Sequence, residues 1–189
     1  MHRTVSLAAA AAFVALAGCQ SSKPQPLTSA DSTAIAQVRT AFVSAWNTGN
    51  VGQVVALYSA DAVLQQGDTP ERDGQPAIRA YFDTAMGTPQ RPKLDLVHVT
   101  TTGQQGLGVD AGAYTLTFPA APAAAGVPAP AAPSPLNGKF LVVLRQQADG
   151  GWKIAYHAGS LDAPPAPPGG PPPAPRRSGP ASPIPGACP

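Results

Sequence analysis

Apolar residues recur every three or four positions from Asp31 to Asn47, through Ile35, Val38, Phe42 and Trp46, the spacing of one face of an α-helix. Ser29 or Asp31 stands where an N-cap is needed, and Gly49 follows the last turn, so the helix is bounded at both ends. The pattern repeats in miniature in Val51, Val54, Val55 and Tyr58, predicting a second short helix over Val51 to Ser59. A brief strand over Ala62 to Gln66 leads into turn chemistry at Gly67-Asp68-Thr69-Pro70 and Asp73-Gly74. Pro76 then sits at the first-turn position that proline favours, and Ile78, Tyr81 and Phe82 carry a third helix to Met86.

Beyond Pro92 the character changes. Lys93 to Thr102, Leu107 to Phe118, Gly138 to Gln147 and Trp152 to Leu161 are rich in Val, Leu, Thr and aromatic residues, and glycine-containing turns separate them. Ala148-Asp149-Gly150-Gly151 is a hairpin signal. Strict alternation in the last strand would place Trp152, Ile154 and Tyr156 on one face and Lys153, Ala155 and His157 on the other. Three helices, a short strand and an antiparallel sheet define an α+β domain with its helices laid on one face of the sheet.

Proline marks where this domain stops. The chain has 24 prolines and 19 glycines in 189 residues, well above ordinary usage. They gather in a spacer from Ser21 to Thr28, in an Ala/Pro run from Pro119 to Pro135 between two strands, and in a tail from Pro164 to Pro189. The expected organisation is therefore a leader over 1–18, a modified cysteine and spacer over 19–29, one domain over 30–162 that includes the loop 119–135, and a disordered Pro-rich tail over 163–189.

The leader is read from its own pattern. Met1-His2-Arg3-Thr4 precedes an apolar run from Val5 to Ala17, which has the layout of a secretory signal and is shorter than the roughly 20 residues a membrane-spanning helix needs. Leu16-Ala17-Gly18-Cys19 resembles the bacterial lipobox, which implies cleavage before Cys19 and lipid on its sulfur. Acyl chains add about 0.8 kcal/mol per buried methylene, so two or three of them hold a protein on a membrane. The expected partner is thus a membrane, through Cys19, and the expected location is the cell envelope, facing the periplasm or exterior. Gln20, in place of an aspartate, resembles the pattern of sorting to an outer membrane where one exists. Cys188 is the second of two cysteines, and a lipidated Cys19 leaves it without an intramolecular partner. A net charge of +2 with 12% charged residues creates no field that would recruit nucleic acid.

Several stretches together resemble the nuclear transport factor 2-like superfamily, in its SnoaL-like and calcium/calmodulin-kinase association-domain-like branch. They are Ala41-Phe42-Val43-Ser44-Ala45-Trp46-Asn47-Thr48-Gly49-Asn50, Leu57-Tyr58-Ser59-Ala60-Asp61-Ala62-Val63-Leu64 and Gly74-Gln75-Pro76-Ala77-Ile78-Arg79-Ala80-Tyr81-Phe82. Gly112 to Thr117, Gly138 to Arg145 and Gly151 to Ile154 continue the series in order. The resemblance implies a cone-shaped half-barrel, in which a curved antiparallel sheet wraps around three N-terminal helices, leaves a pocket at its open end and pairs into homodimers through its outer face. It transfers no reaction, because the same fold carries isomerases, cyclases, dehydratases, hydrolases and binding modules. Counting from Asp61 as the strand-opening aspartate, the general base of ketosteroid isomerase falls at Gln66, which cannot abstract a proton. Ala158 and Gly159 stand where relatives carry larger side chains, implying one opened pocket wall.

The polar candidates for such a pocket are few. His98, His157 and Asp61 are the catalytic candidates, with a His98 or His157 dyad to Asp61 or Asp110 as the chemistry that would use them, against a structural or solvated histidine and a strand-capping aspartate. Arg79 is expected to pair with acids on the helix surface. Trp46, Tyr58, Gln66, Tyr81, Tyr114 and Tyr156 are the ligand-binding candidates, with tyrosine keeping its body buried and its hydroxyl partnered. No spacing offers a metal set, a phosphate cradle or a dinucleotide fingerprint, so no metal or cofactor is expected. The leading expectation is a membrane-tethered domain that binds a small apolar ligand without catalysis. An enzyme using a pocket His or Asp and an envelope dimerisation or interaction module are the alternatives, and whether the chain is an enzyme stays open.

Overall fold

Burial of one stripe per helix against one face of a sheet organises the chain. The computed structural model describes residues 23–67, 69–123 and 130–162. The elements run α1 (Ser29–Thr48), α2 (Val51–Ala56), β1 (Tyr58–Gln66), β2 (Arg72–Asp73), α3 (Gly74–Met86), β3 (Lys93–Gln104), β4 (Leu107–Thr117), β5 (Leu136–Gln146) and β6 (Trp152–Leu161). The expected signal over 1–18, Cys19, Asp68, residues 124–129 of the Ala/Pro loop, and the tail over 163–189 with Cys188 lie outside the described residues. No helix among the described residues is long and apolar enough to cross a membrane.

Thr28, not Ser29 or Asp31, caps α1. Its hydroxyl accepts from the Asp31 amide at 3.1 Å while the Asp31 carboxylate accepts from the Thr28 amide at 3.0 Å, a reciprocal capping box. Gly49 ends the helix at φ 74°, a left-handed conformation that glycine adopts without steric cost. From the inward stripe, Trp46 donates its indole N–H to the Pro92 carbonyl at 2.9 Å, and the Asn47 side chain brackets the backbone of Leu94 with bonds of 2.8 and 2.9 Å. These contacts fix the C-terminal end of α1 against the start of β3.

The second helix is shorter than its periodicity predicts. Ile154 N–H donates to the Leu57 carbonyl at 2.8 Å and the Gln75 side chain donates to the Tyr58 carbonyl at 2.8 Å, so backbone that would continue the helix enters the sheet instead. Strand β1 therefore begins at Tyr58 rather than Ala62. Gln75 belongs to α3, which starts at Gly74, two residues before Pro76.

The six strands form one unclosed sheet in the order β2-β1-β6-β5-β4-β3. Strands β3 to β6 are antiparallel neighbours, joined by short turns except between β4 and β5, where the Ala/Pro loop intervenes. Strand β1 pairs parallel to β6, a departure from an all-antiparallel sheet. It arises because β1 and β6 meet only after the chain has crossed α3 and run through the β3–β6 meander. The inward faces of the sheet and the helix stripes share one core, with Ile35, Tyr58, Leu64, Ile78, Phe82 and Leu144 essentially inaccessible.

Strand β6 does not alternate strictly. Val143 pairs with Tyr156 while Leu144 pairs with Ile154, leaving Ala155 as an extra residue in a β-bulge. The bulge shifts the phase by one residue, so His157 joins Trp152 and Ile154 on the inner face and Tyr156 turns outward.

Candidate ligand-binding cavity

Between α1 and the inner sheet face lies a cavity of about 110 Å³. Its wall is mainly apolar, from Ile35, Val38 and Phe42 of α1 to Leu94 and Leu96 of β3 and Val142 and Leu144 of β5. Two polar assemblies interrupt that wall.

The first is an ion pair. Arg39 Nη1 lies 2.7 Å from both carboxylate oxygens of Asp110, whose side chain is 1% exposed against 20% for Arg39. Thr101 Oγ1 donates to Asp110 Oδ1 at 2.7 Å. Since that hydroxyl proton is directed at the carboxylate, the contact of 2.9 Å between His98 Nε2 and Thr101 Oγ1 is a donation from the imidazole to a hydroxyl lone pair. His98 itself is 40% exposed, lies outside the cavity lining and stands 3.4 Å from Asp110 Oδ1. Desolvating both charges is costly, and an apolar pair of like volume often serves stability equally well, so the ion pair is a conspicuous feature of so apolar a cavity.

The second assembly is centred on His157. Its Nδ1 lies 2.6 Å from the hydroxyl of Tyr58, and its ring stands edge-on to Phe42 at 5.6 Å between centroids. Tyr58 is fully buried, and burial holds its phenol protonated by raising its pKa well above 10. A phenol O–H is the stronger donor and an imidazole nitrogen the stronger acceptor of this pair, which assigns Tyr58 as donating to Nδ1 and places the imidazole proton on Nε2. Burial pushes the His157 pKa down from 6.5 to about 4, which leaves a neutral ring at pH 7.

Gln66, Tyr81 and Tyr114 complete the polar lining. Burial raises the pKa of both phenols. Tyr114 donates to the Ser160 carbonyl at 3.3 Å, and the guanidinium of Arg72 covers the Tyr81 ring at 4.4 Å.

Of the residues singled out in the sequence, the cavity collects Trp46, Gln66, Tyr81, Asp110, Tyr114 and His157. Tyr58 stands behind His157 instead of lining the cavity. Tyr156, on the outer face because of the bulge, donates to Gln65 Oε1 at 2.6 Å. Asp61 lies mid-strand on an exposed surface, 3.1 Å from Arg145, rather than opening β1, and it meets neither histidine. Arg79 is exposed and forms no ion pair with the described residues. Among the described residues no three His, Cys, Asp or Glu side chains come together as a metal site. Arg39 was not singled out, although a cation at four residues from Ile35 and three from Phe42 sits inside the apolar stripe of α1.

An α+β cone with its helices against the concave side of an unclosed six-stranded sheet and a cavity between them is the nuclear transport factor 2-like architecture. The sequence profile of the SnoaL-like domain matches residues 39–157, and the chain belongs to that family. No curated protein matches it in sequence. Among solved structures it is similar to a ketosteroid isomerase-like protein from Erwinia carotovora atroseptica, with 20% identity, a TM-score of 0.57 and coverage of 70% of this chain and 96% of the other. It is also similar to a nuclear transport factor 2-like protein of unknown function from Shewanella oneidensis, with 15% identity, a TM-score of 0.55 and coverage of 68% and 98%. A third, from Pseudomonas putida and likewise of unknown function, has 17% identity, a TM-score of 0.58 and coverage of 71% and 88%. At these identities the likeness concerns the fold.

Proposed function

We propose that this chain is a membrane-tethered binding protein for a small, largely apolar molecule, held by lipid on Cys19 in the cell envelope. The observation that carries the reading is the apolar cavity of about 110 Å³ with the Arg39–Asp110 pair in its wall. An apolar cavity of roughly 150 Å³ holds benzene, so this smaller space takes no more than one six-membered ring. Binding rather than catalysis is favoured because Asp110 is already engaged by Arg39 and Thr101, while His157 presents a proton and not a lone pair. Mass spectrometry of small molecules released from the purified full chain tests this: a recurrent apolar compound supports it, and turnover abolished by His157→Phe would establish the enzymatic alternative instead. For the tether, Cys19→Ala should release the protein from membranes and end fatty-acid labelling, whereas unchanged retention and labelling would refute it.

The outer sheet face favours a further part of the reading, a homodimer. Val99 is 70% exposed and Val97 65%, beside Leu141. An apolar patch of this kind on an open sheet suits a second copy of the chain. Light scattering should read a dimer that Val99→Glu converts to monomer, and a monomeric parent protein would exclude it.

A further inference from the structure

The polar groups of the cavity divide into adaptable and fixed ones. Gln66, Tyr81 and Tyr114 can donate or accept. Arg39 only donates, and both of its hydrogen bonds to described residues leave from Nη1, so the N–H groups on Nη2 and Nε have no acceptor there. His157 also only donates toward the cavity, because Tyr58 occupies Nδ1 and no described residue accepts from Nε2. The two fixed donors flank Phe42: Arg39 precedes it by one helical turn, and the His157 ring lies against it. Neither has a counterpart that only accepts and remains unengaged, since Asp110 receives Arg39 and Thr101.

The charges balance without a ligand. Arg39 and Asp110 cancel, and His157 is neutral at pH 7. A carboxylate entering this apolar space would bring an unmatched charge, whose desolvation is costly. A neutral carbonyl oxygen brings acceptor lone pairs alone and suits donors that have no acceptor among the described residues.

From this arrangement we infer that the cavity selects a neutral, single-ring-sized ligand bearing a carbonyl oxygen, a ketone, ester or lactone, with the oxygen hydrogen-bonded to Arg39 or His157 and the carbon skeleton against Phe42, Leu94 and Leu144. The inference rests on the binding reading above and adds the ligand's chemistry to it.

Three ring-sized probes separate the two. Cyclohexanone, its near-isostere methylenecyclohexane and cyclohexanecarboxylate are titrated at pH 7 into the purified full chain and followed by isothermal calorimetry. Bound cyclohexanone is examined by infrared spectroscopy, and the His157 Nε2 proton by NMR. Cyclohexanone should bind with its carbonyl stretch at lower wavenumber than in hexane, a downfield move of the Nε2 proton marking His157 rather than Arg39 as the donor, and cyclohexanecarboxylate should bind at least tenfold more weakly. A hexane-like carbonyl stretch, or a carboxylate that binds as tightly as the ketone, would overturn the inference. Binding of methylenecyclohexane with exclusion of the ketone would overturn it while leaving the binding cavity intact. Failure of all three probes at millimolar concentration would overturn the binding reading and this inference with it.

Discussion

Acid should destabilise this domain through one imidazole. His157 is neutral in the folded chain because burial lowers its pKa from 6.5 to about 4, whereas in the unfolded chain it titrates normally. Between those values the unfolded state binds more protons, so stability falls as pH falls. The contribution is complete above pH 6.5 and is lost progressively down to about pH 4. At 1.36 kcal/mol per unit the depression corresponds to roughly 3 kcal/mol, a large share of the 5 to 15 kcal/mol that holds a typical domain together. Urea unfolding followed by the fluorescence of Trp46 and Trp152 at pH 7, 6, 5 and 4 reads this directly. Carboxylates titrate in the same range, so the informative quantity is the difference from His157→Phe, which removes the imidazole and leaves the carboxylates in place. The parent protein should begin more stable, because the variant strands the Tyr58 hydroxyl, and should lose about 3 kcal/mol of that advantage by pH 4. Parallel loss in the two proteins, or an NMR titration of the His157 ring centred near 6.5, would refute the reasoning.

Trp46→Ala should cost about 3 to 5 kcal/mol, since it empties core volume and removes the bond to the Pro92 carbonyl; a neutral result in thermal unfolding would contradict the packing of α1 on the sheet. Asp110→Ala leaves Arg39 without its buried partner and should cost about 3 to 5 kcal/mol in urea, while the double change Arg39→Met with Asp110→Leu should restore most of that stability. Gly138→Ala should destabilise by about 1 to 3 kcal/mol, because a Cβ there would collide with the Ser160 carbonyl and the Tyr114 ring; an unchanged melting temperature would show that Tyr114 does not lie over that glycine.

Much of this architecture can be read from local pattern, and what cannot has a physical reason. The stripe through Ile35, Val38, Phe42 and Trp46 foretells α1, because a long amphipathic helix carries its burial in its own periodicity. Strand β1 is less legible: Tyr58 continues a helical spacing from Val51, and only pairing with β6 draws it into the sheet. Arg39 was legible in principle, as a charge within an apolar stripe. Asp110 is already a candidate in the sequence, and it shares the inward phase of Gly108 and Gly112 on β4. Their mutual contact was not legible, because 71 residues separate them and no local pattern fixes the distance between a helix face and a strand. The orientation of His157 was misread for a different reason, since a bulge depends on the neighbouring strand.

That extra residue makes the inventory of the cavity a matter of strand phase as well as of side-chain identity. Ala155 stands outside a reading frame of two: bulged out of the ladder, it lets an imidazole face inward and a phenol outward; drawn into regular pairing, it would restore strict alternation and turn the side chain of Tyr156 into the cavity and that of His157 out, whereas its deletion would leave both facing as they do. A chain built this way can exchange one polar group for another in its interior by gaining or losing a bulge, with every binding side chain still encoded. Descendants of such an event would align well by residue type and yet present different chemistry to a ligand, so comparison within this fold has to follow strand phase before it follows residue identity.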